Sequence, residues 1–296
     1  MENVRELLEN FRYFLEMSKS PHTARMYYRA VSEFLQTVRK PISQLTALDI
    51  SAWQRRLLRR LSPRSVDSMS AALKTFFRAI GRYDLAMQVP SVRYEARRID
   101  WLPEEKVIRV IEAGENELHQ AVLATGYELA LRIGEVVLLQ RDWFNYNAGQ
   151  CKVRRLKRKG AVPAEDFLPM RRYFADKLKA YLDTRRDSLT AMFVTYGAFG
   201  VEEPRPISVS GVKYIYHRAA EKAGIDCRRI TWHAFARHSR ITNYAIQLLR
   251  ERGSIDLVRL MKLAGHVSEK STMVYTHLAA EYLLSRGERI SLGLGE

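Results

Sequence analysis

The chain has 296 residues, 47% of them hydrophobic, which is enough to build two separately packed cores. Lysine and arginine outnumber aspartate and glutamate by 49 to 33, giving a net charge of +16. The excess is spread over the chain: residues 1–95 hold 16 basic and 9 acidic residues, and the rest holds 33 and 24. A charge of this size on both parts favours a polyanionic partner, and nucleic acid fits better than a membrane.

The two cysteines, Cys151 and Cys227, have neither the spacing of a disulfide framework nor that of a zinc site, so we expect reduced thiols in the cytoplasm. No metal or other cofactor is predicted. The charged first segment and the lack of an 18-residue apolar run argue against secretion and membrane spanning.

The N-terminal part is predicted to be helical, because large apolar side chains recur every three to four residues. Four helices are predicted, at residues 2–17, 21–38, 47–60 and 63–80, with prolines at or near the breaks. Its basic residues are candidates for one DNA-facing surface, although a solvated helix face explains any one of them nearly as well. These candidates are Arg25, Arg29, Arg55, Arg56, Arg59, Arg60, Arg64, Lys74 and Arg78.

The segment PSVRYEARR, residues 90–98, has no apolar periodicity and is interpreted as a basic linker. We therefore predict a helical DNA-binding domain over residues 1–97 and a second domain over residues 98–296. Helices of the second domain are predicted at residues 104–113, 118–131, 134–140, 171–185, 209–223, 233–250, 255–263 and 271–284. Strands are predicted at residues 150–156 and 164–168, around the polar turn KRKGAVP, and at 192–195.

Four segments of the second domain carry the residue types that phosphodiester transesterification needs: cations to hold a phosphorane, an acid for the leaving oxygen and a hydroxyl nucleophile. In chain order they are ATGYELALRIGEVVLL, VRRLKRKG, WHAFARHSRIT and LAGHVSEKSTMVYTHL. Their order and spacing resemble the tyrosine recombinases, the family of phage integrases, Xer resolvases and Cre. The last segment is the most specific, since Tyr275 follows His266 by nine residues in a Tyr-Thr-His context.

The resemblance implies that Tyr275 is the nucleophile, that Arg132 and Arg237 hold the phosphate, and that Glu135 supports Arg132. A guanidinium group suits this role because its planar fork grips two phosphate oxygens and stays charged. Two roles are open for His266, the nearest candidate partner of Tyr275: accepting the tyrosine proton or binding a nonbridging oxygen. The sequence does not decide between them.

One departure concerns His233, which lies four residues before Arg237, whereas family members usually have a histidine three residues before this arginine. A helix still keeps residues i and i+4 on one face, so His233 remains a site candidate, with a structural histidine as the alternative. Lys157 corresponds to the family's lysine, the general acid for the 5′ oxygen. Lys159 is its rival for that role and is also a candidate DNA-binding residue.

The resemblance implies a mainly α fold with a small antiparallel β-sheet (α+β). A helical core-binding (SAM-like) domain and a catalytic domain would form a C-shaped clamp around duplex DNA. The implied reaction is site-specific recombination through a 3′-phosphotyrosyl intermediate and a Holliday junction, carried out by a homotetramer on two DNA sites without metal or ATP. The tail, residues 280–296, is expected to dock on a neighbouring protomer, with an intramolecular cap as the alternative.

Two other functions stay open. A type IB topoisomerase-like enzyme shares the phosphotyrosine step but rejoins the same strand. A recombinase-derived DNA-binding or architectural protein would have a degenerate active site, and the spacing of His233 is the feature that favours it.

Overall fold

The computed structural model describes residues 4–95, 98–156, 164–196, 203–266 and 268–288. The chain divides into two compact units, Met1–Arg97 and Arg98–Glu296, and each unit has its own hydrophobic core. Within the described ranges, no helix is long and apolar enough to cross a membrane.

The first unit is a bundle of helices whose starts are fixed by side-chain caps. Ser20 and Ser62 each accept a hydrogen bond from a backbone N–H three residues on, and a proline follows each serine. This combination satisfies a free N–H and presets the first helical φ. The helices are α1 (Val4–Ser18), α2 (Pro21–Val38), α3 (Ala47–Leu58), α4 (Pro63–Ala79) and α5 (Tyr83–Gln88). The first four lie within two residues of their predicted bounds, and the six-residue α5 was not predicted because it is too short to show a period.

The core of the first unit is built on aromatic side chains. Phe34 meets Trp53 edge to face, with the ring centroids 5.3 Å apart, and it meets Phe77 in the same way at 6.1 Å. The predicted linker begins inside this unit, because the buried Gln54 donates a hydrogen bond of 2.9 Å to the carbonyl of Pro90. The linker prediction was therefore too long at its start.

The second unit combines eight helices with two small antiparallel sheets in the ranges that the structure describes. Its helices are α6 (Glu104–Glu112), α7 (Glu117–Glu128), α8 (Ile133–Val136), α9 (Arg172–Thr184), α10 (Val209–Lys222), α11 (Ser239–Arg252), α12 (Leu257–Ala264) and α13 (Lys270–Ser285). Its strands are β1 (Phe144–Asn145), β2 (Gln150–Arg155), β3 (Ala164–Pro169), β4 (Val194–Thr195) and β5 (Arg205–Pro206). Strands β1, β2 and β3 form one sheet in that order, and β4 pairs with β5.

The centre of the second unit is α7, whose residues 121–128 are all buried. At Gly126 the helix lies directly on Trp232, since a Cβ atom there would overlap the indole ring. The Trp232 indole N–H donates to the carbonyl of Leu131, 3.1 Å away. This packing fixes the turn after α7 against the segment that precedes α11.

Three predictions about elements needed correction. The helix predicted at residues 134–140 is the four-residue α8, and the strand predicted at 192–195 is the two-residue β4. The helix predicted at 233–250 is interrupted, because its first six residues form a turn of π-helix, His233–His238, before α11 begins. The predicted turn KRKGAVP lies outside the described residues.

Candidate active site

Arg132 and Glu135 form a local pair at the start of α8. Glu135 Oε1 accepts a hydrogen bond from the Arg132 guanidinium and Oε2 accepts one from the Arg132 backbone N–H, both at 2.9 Å. The Glu135 side chain is completely buried, whereas that of Arg132 is 19% exposed. The buried carboxylate of Glu135 holds the Arg132 guanidinium in one preferred direction. The exposed part of the Arg132 side chain can contact a ligand.

Arg237 is buried and is held by main-chain carbonyls. Its guanidinium donates to the carbonyl of Ala130 at 3.0 Å and to the carbonyl of Ala264. Ala130 has a left-handed backbone, with φ of 51°. Burial, followed by the charges of Arg132 and Arg155, lowers the pKa of Arg237 to about 10, and the charge of Glu135 opposes this shift.

The π turn explains how the unusual spacing of His233 is accommodated. A π-helix closes i→i+5 hydrogen bonds, and here the backbone N–H of Ser239 donates to the carbonyl of Ala234, five residues earlier. The rings of His233 and His238, also five residues apart, meet edge to face with centroids 4.5 Å apart. One extra residue between His233 and Arg237 is thus absorbed inside the helix.

Tyr275 lies on α13 and is buried, with 4% of its surface exposed. Its hydroxyl oxygen lies 2.7 Å from Nδ1 of His238. Burial raises the pKa of Tyr275, and the charges of Arg237 and Arg132 oppose that shift. The tyrosine therefore lies within the electrostatic influence of both candidate arginines.

His266 lies beside the Tyr275 ring. The two rings are stacked, with centroids 6.0 Å apart and 27° between their planes. Nδ1 of His266 bonds to the hydroxyl of Thr272 at 3.0 Å. Burial, followed by the charges of Arg237 and Arg132, lowers the pKa of His266 to about 4, so its ring is neutral near pH 7.

Arg155, which the sequence motifs did not single out, is also part of the site. Its side chain is completely buried and lies within 3.5 Å of Glu135 Oε2. It also donates to Asp166 at 3.1 Å and to the carbonyl of Leu263 at 2.8 Å. The alternation of β2 contains the signal that would have found it, since a charged residue in phase with the buried Cys151 and Val153 indicates a buried ion pair.

Lys157 and Lys159 lie outside the described residues, so the choice between them stays open. The chain immediately before them is anchored in the site, because the N–H of Leu156 donates to Glu135 Oε1 at 3.4 Å. The pairing of Arg155 with Ala164 then closes the β2–β3 hairpin. The two flanking residues, Leu156 and Ala164, therefore contact Glu135 and Arg155.

In the first unit, the candidate DNA-binding residues are exposed except for Lys74, which is half-buried. Arg60 forms an ion pair with Glu33, and Lys74 donates to the hydroxyl of Ser91 at 3.3 Å. All nine candidates lie on α2, α3 or α4, or in the turn that follows α3. The exposure of most of them leaves them available to phosphate groups.

The second unit thus brings together Arg132, Arg237, Glu135, His266 and Tyr275, and adds Arg155 and His238. The three guanidinium groups interact with two carboxylates, those of Glu135 and Asp166, which leaves an excess of one positive charge that suits a phosphate. Among the residues that the structure describes, no cluster of three or more His, Cys, Asp or Glu is placed to hold a metal ion.

Models of known protein families match both units of the chain. Residues 100–282 match the model of the phage integrase family, and residues 7–86 match the N-terminal SAM-like domain of phage integrases. The tyrosine recombinase XerA of Pyrococcus furiosus is 30% identical over 291 residues, 97% of this chain and 94% of its own. XerA of Thermococcus kodakarensis is 28% identical, over 99% of this chain and 98% of its own.

Solved structures support the same fold. The lambda integrase dimer (residues 75–356) bound to a COC′ core site has a TM-score of 0.68 and 15% identity, covering 92% of this chain and 94% of that one. XerH bound to palindromic difH has a TM-score of 0.67 and 15% identity, covering 89% and 78%. Taken with the sequence matches over both units, these findings mean that the chain belongs to the phage integrase family, the family of the tyrosine recombinases.

Proposed function

We propose that this protein is a site-specific DNA recombinase that cuts and rejoins strands through a covalent bond between Tyr275 and a DNA 3′ phosphate. One observation carries the proposal: a buried tyrosine hydroxyl lies in the same site as two arginines, Arg237 and Arg132, whose charges oppose the rise in its pKa that burial causes. A phenol is mostly neutral at pH 7, so cations that stabilise the phenolate are what a tyrosine nucleophile requires.

In this reaction Arg132 and Arg237 bind the nonbridging oxygens of the scissile phosphate and stabilise the charge of the phosphorane. Their side chains are already held by Glu135 and by the carbonyls of Ala130 and Ala264, so little reorganisation is needed when DNA binds. His266, whose ring is neutral and stacked on Tyr275, donates to a nonbridging oxygen. We assign His233, at the exposed start of the π turn, to the same phosphate.

The leaving 5′ oxygen needs a proton, which we assign to the ammonium group of Lys157, with Lys159 as the alternative. The contacts of the flanking residues support this assignment, since the N–H of Leu156 donates to Glu135 Oε1 and Ala164 pairs with Arg155. The free 5′ hydroxyl then attacks the phosphotyrosine of a partner duplex. Because the tyrosyl ester conserves the bond energy, no ATP is consumed.

The first unit contributes DNA affinity through its exposed arginines, and the proposed working assembly is a homotetramer on two DNA sites in the cytoplasm. Two solved relatives support the partner: XerH bound to palindromic difH, and a lambda integrase tetramer bound to a Holliday junction. The charge of +16, carried by both units, fits a duplex that contacts both.

A suicide substrate tests the proposal. A duplex nicked just beyond the cleavage point loses the short fragment that carries the new 5′ hydroxyl on cutting, so the covalent adduct accumulates and is visible on a denaturing gel. We expect an adduct with the wild-type protein and none with Tyr275→Phe, which keeps the basic surface and therefore the DNA affinity. Tyr282→Phe, on the same helix, is the matched control. An adduct with Tyr275→Phe would exclude this nucleophile.

The same assay separates the other two functions. Strand transfer to a second duplex distinguishes a recombinase from a topoisomerase-like enzyme, which rejoins the original strand. DNA binding with no adduct would identify an architectural protein. Cleavage in excess chelator is expected to continue, since guanidinium groups supply the charge that a metal would otherwise provide.

A further inference from the structure

We propose that His238 is the catalytic proton acceptor for Tyr275. This inference deepens the proposed function and rests on it, since it assigns the group that deprotonates the nucleophile. The sequence motif by itself gives His238 no role beyond following Arg237.

Hydrogen bonding distinguishes His238 from His266. The Tyr275 hydroxyl lies 2.7 Å from Nδ1 of His238, a short contact for a phenol and an imidazole. His266 stacks on the ring of the tyrosine, and its own Nδ1 is bonded to the hydroxyl of Thr272. Of these two histidines, His238 is therefore the one placed to accept the proton of the Tyr275 hydroxyl.

The surroundings of His238 keep its ring neutral. Burial, followed by the charge of Arg237, lowers its pKa to about 4, while Asp100 acts in the opposite direction. The rings of His233 and Tyr275 pack against it at centroid distances of 4.5 and 5.7 Å. A neutral imidazole with its proton on Nε2 presents a lone pair at Nδ1, which is what a proton acceptor needs.

The π turn orients the ring of His238. His238 is the last residue of the turn, and Ser239 fixes the end of the turn through its hydroxyl, which donates to the carbonyl of Ala234 at 2.7 Å. The same hydroxyl accepts a hydrogen bond from the N–H of Leu102 at 2.9 Å. The backbone that carries His238 is thus held at both its start and its end, and the ring faces α13.

Two protons move in the proposed cleavage step, one to His238 and one from the hairpin lysine. The Tyr275 oxygen forms a bond to the scissile phosphorus while its proton moves to Nδ1 of His238. The bond from phosphorus to the 5′ oxygen breaks, and that oxygen takes a proton from the hairpin lysine. On rejoining, the 5′ hydroxyl attacks the phosphotyrosine and returns its proton to the hairpin lysine, and the departing Tyr275 oxygen recovers its proton from His238, now an imidazolium.

The test uses His238→Asn, because the asparagine amide oxygen can still accept the hydrogen bond but cannot take the proton. Single-turnover adduct formation on the nicked duplex should fall by about 10²-fold, in the range that general bases contribute. His217→Asn, the same substitution at an exposed position of α10, is the matched control and should leave the rate unchanged.

A more acidic nucleophile provides the second arm of the test. Replacing Tyr275 by 2,3,5-trifluorotyrosine should reduce the difference between the wild-type and His238→Asn backgrounds to less than about 10-fold, because a more acidic phenol needs less help from a base. A substrate with sulfur in place of the bridging 5′ oxygen should not rescue His238→Asn, since the defect lies in the nucleophile. An unchanged rate in His238→Asn, or rescue by sulfur alone, would overturn the inference.

A further measurement needs no variant. In the full-length protein, the ¹⁵N chemical shifts of His238 should show a neutral ring protonated at Nε2, with Nδ1 accepting. A ring protonated at Nδ1 would be a donor to Tyr275 and would overturn the inference, as would faster cleavage in His238→Asn, which would identify a restraining contact. Absence of any adduct with the wild-type protein would instead refute the proposed function.

Discussion

Gly265 lies directly against the guanidinium group of Arg155. A Cβ atom at position 265 would come within 2.8 Å of Arg155 Nε, and the glycine has a left-handed φ of 56° where α12 ends. Arg155 in turn donates to the carbonyl of Leu263, so the segment that carries His266 and the strand that leads to Lys157 share one contact. The glycine of the LAGH motif is thus required by both backbone conformation and contact.

Gly265→Ala tests this contact. The left-handed backbone alone costs about 1 kcal/mol for alanine, and displacement of Arg155 adds to it, so we expect a loss of about 2 kcal/mol or more in the free energy of unfolding. Gly224→Ala is the control, because Gly224 has a φ of 70° with nothing within 4 Å of the added Cβ. Equal losses in urea denaturation would show that the contact carries no energy.

Arg155→Met removes the side chain that joins Glu135 to Asp166. Two buried carboxylates would lose this cation, and breaking such pairs costs about 3–5 kcal/mol of the free energy of unfolding. The neighbouring Arg154→Met breaks a 3.7 Å pair with Glu165 at the surface, which should cost less than about 1 kcal/mol. Chemical denaturation measures both, and similar values for the two variants would contradict the proposed role of Arg155.

The hairpin lysine is tested by its leaving group. Lys157→Ala should cleave ordinary DNA slowly, because an alkoxide leaves poorly without an acid. With sulfur at the bridging position, the thiol of the leaving group has a pKa of about 8.5, so the thiolate departs unaided and cleavage should recover. Arg132→Ala should not recover, since it fails to hold the phosphorane. Rescue of Lys159→Ala in place of Lys157→Ala would identify Lys159 as the acid.

The buried histidines predict a pH dependence of stability. The pKa of His238 and of His266 is about 4 in the folded chain, below the ordinary value of 6.5, so the unfolded chain binds more protons between these values. Their contribution to the free energy of unfolding is complete above pH 6.5 and is lost as the pH falls towards 4. Urea denaturation at pH 7 and pH 5 should show a smaller loss in His266→Asn than in the wild type, and an equal loss would contradict the assignment.

The structure bears on part of the predicted tail, residues 280–296, because it describes this segment as far as Glu288. Leu283 is 2% exposed and belongs to the core of its own unit, so the intramolecular alternative holds for this residue, while Ile290, Leu292 and Leu294 lie outside the described residues. Truncation after Glu288 should reduce tetramer formation on two-site DNA and leave half-site binding and thermal stability unchanged. Native gels and thermal unfolding measure these two properties, and an unchanged tetramer would argue against docking on a neighbour.

Leu283→Ala, by contrast, should lower the free energy of unfolding by about 2–5 kcal/mol, because it removes a buried core side chain.

The sequence by itself determined the features that depend on near neighbours in the chain. The helices of the first unit follow from apolar period and caps, and the pair of Arg132 and Glu135 forms because residues i and i+3 meet at a helix start. The resemblance of the spacing from His266 to Tyr275 to the family's pattern singled out these two residues, and in the structure their rings are stacked, with a helix end and the following helix between them.

Only the tertiary structure decided which distant side chains meet. An extra residue before Arg237 can be absorbed in a loop, at a helix start or as a π turn. The π turn prevails because Arg237 is tied to Ala130 and Ser239 to Leu102, more than 100 residues away. The same long-range packing brings His238 to Tyr275 and buries Arg155 beneath Gly265. Such contacts depend on where whole elements pack, which local spacing does not encode.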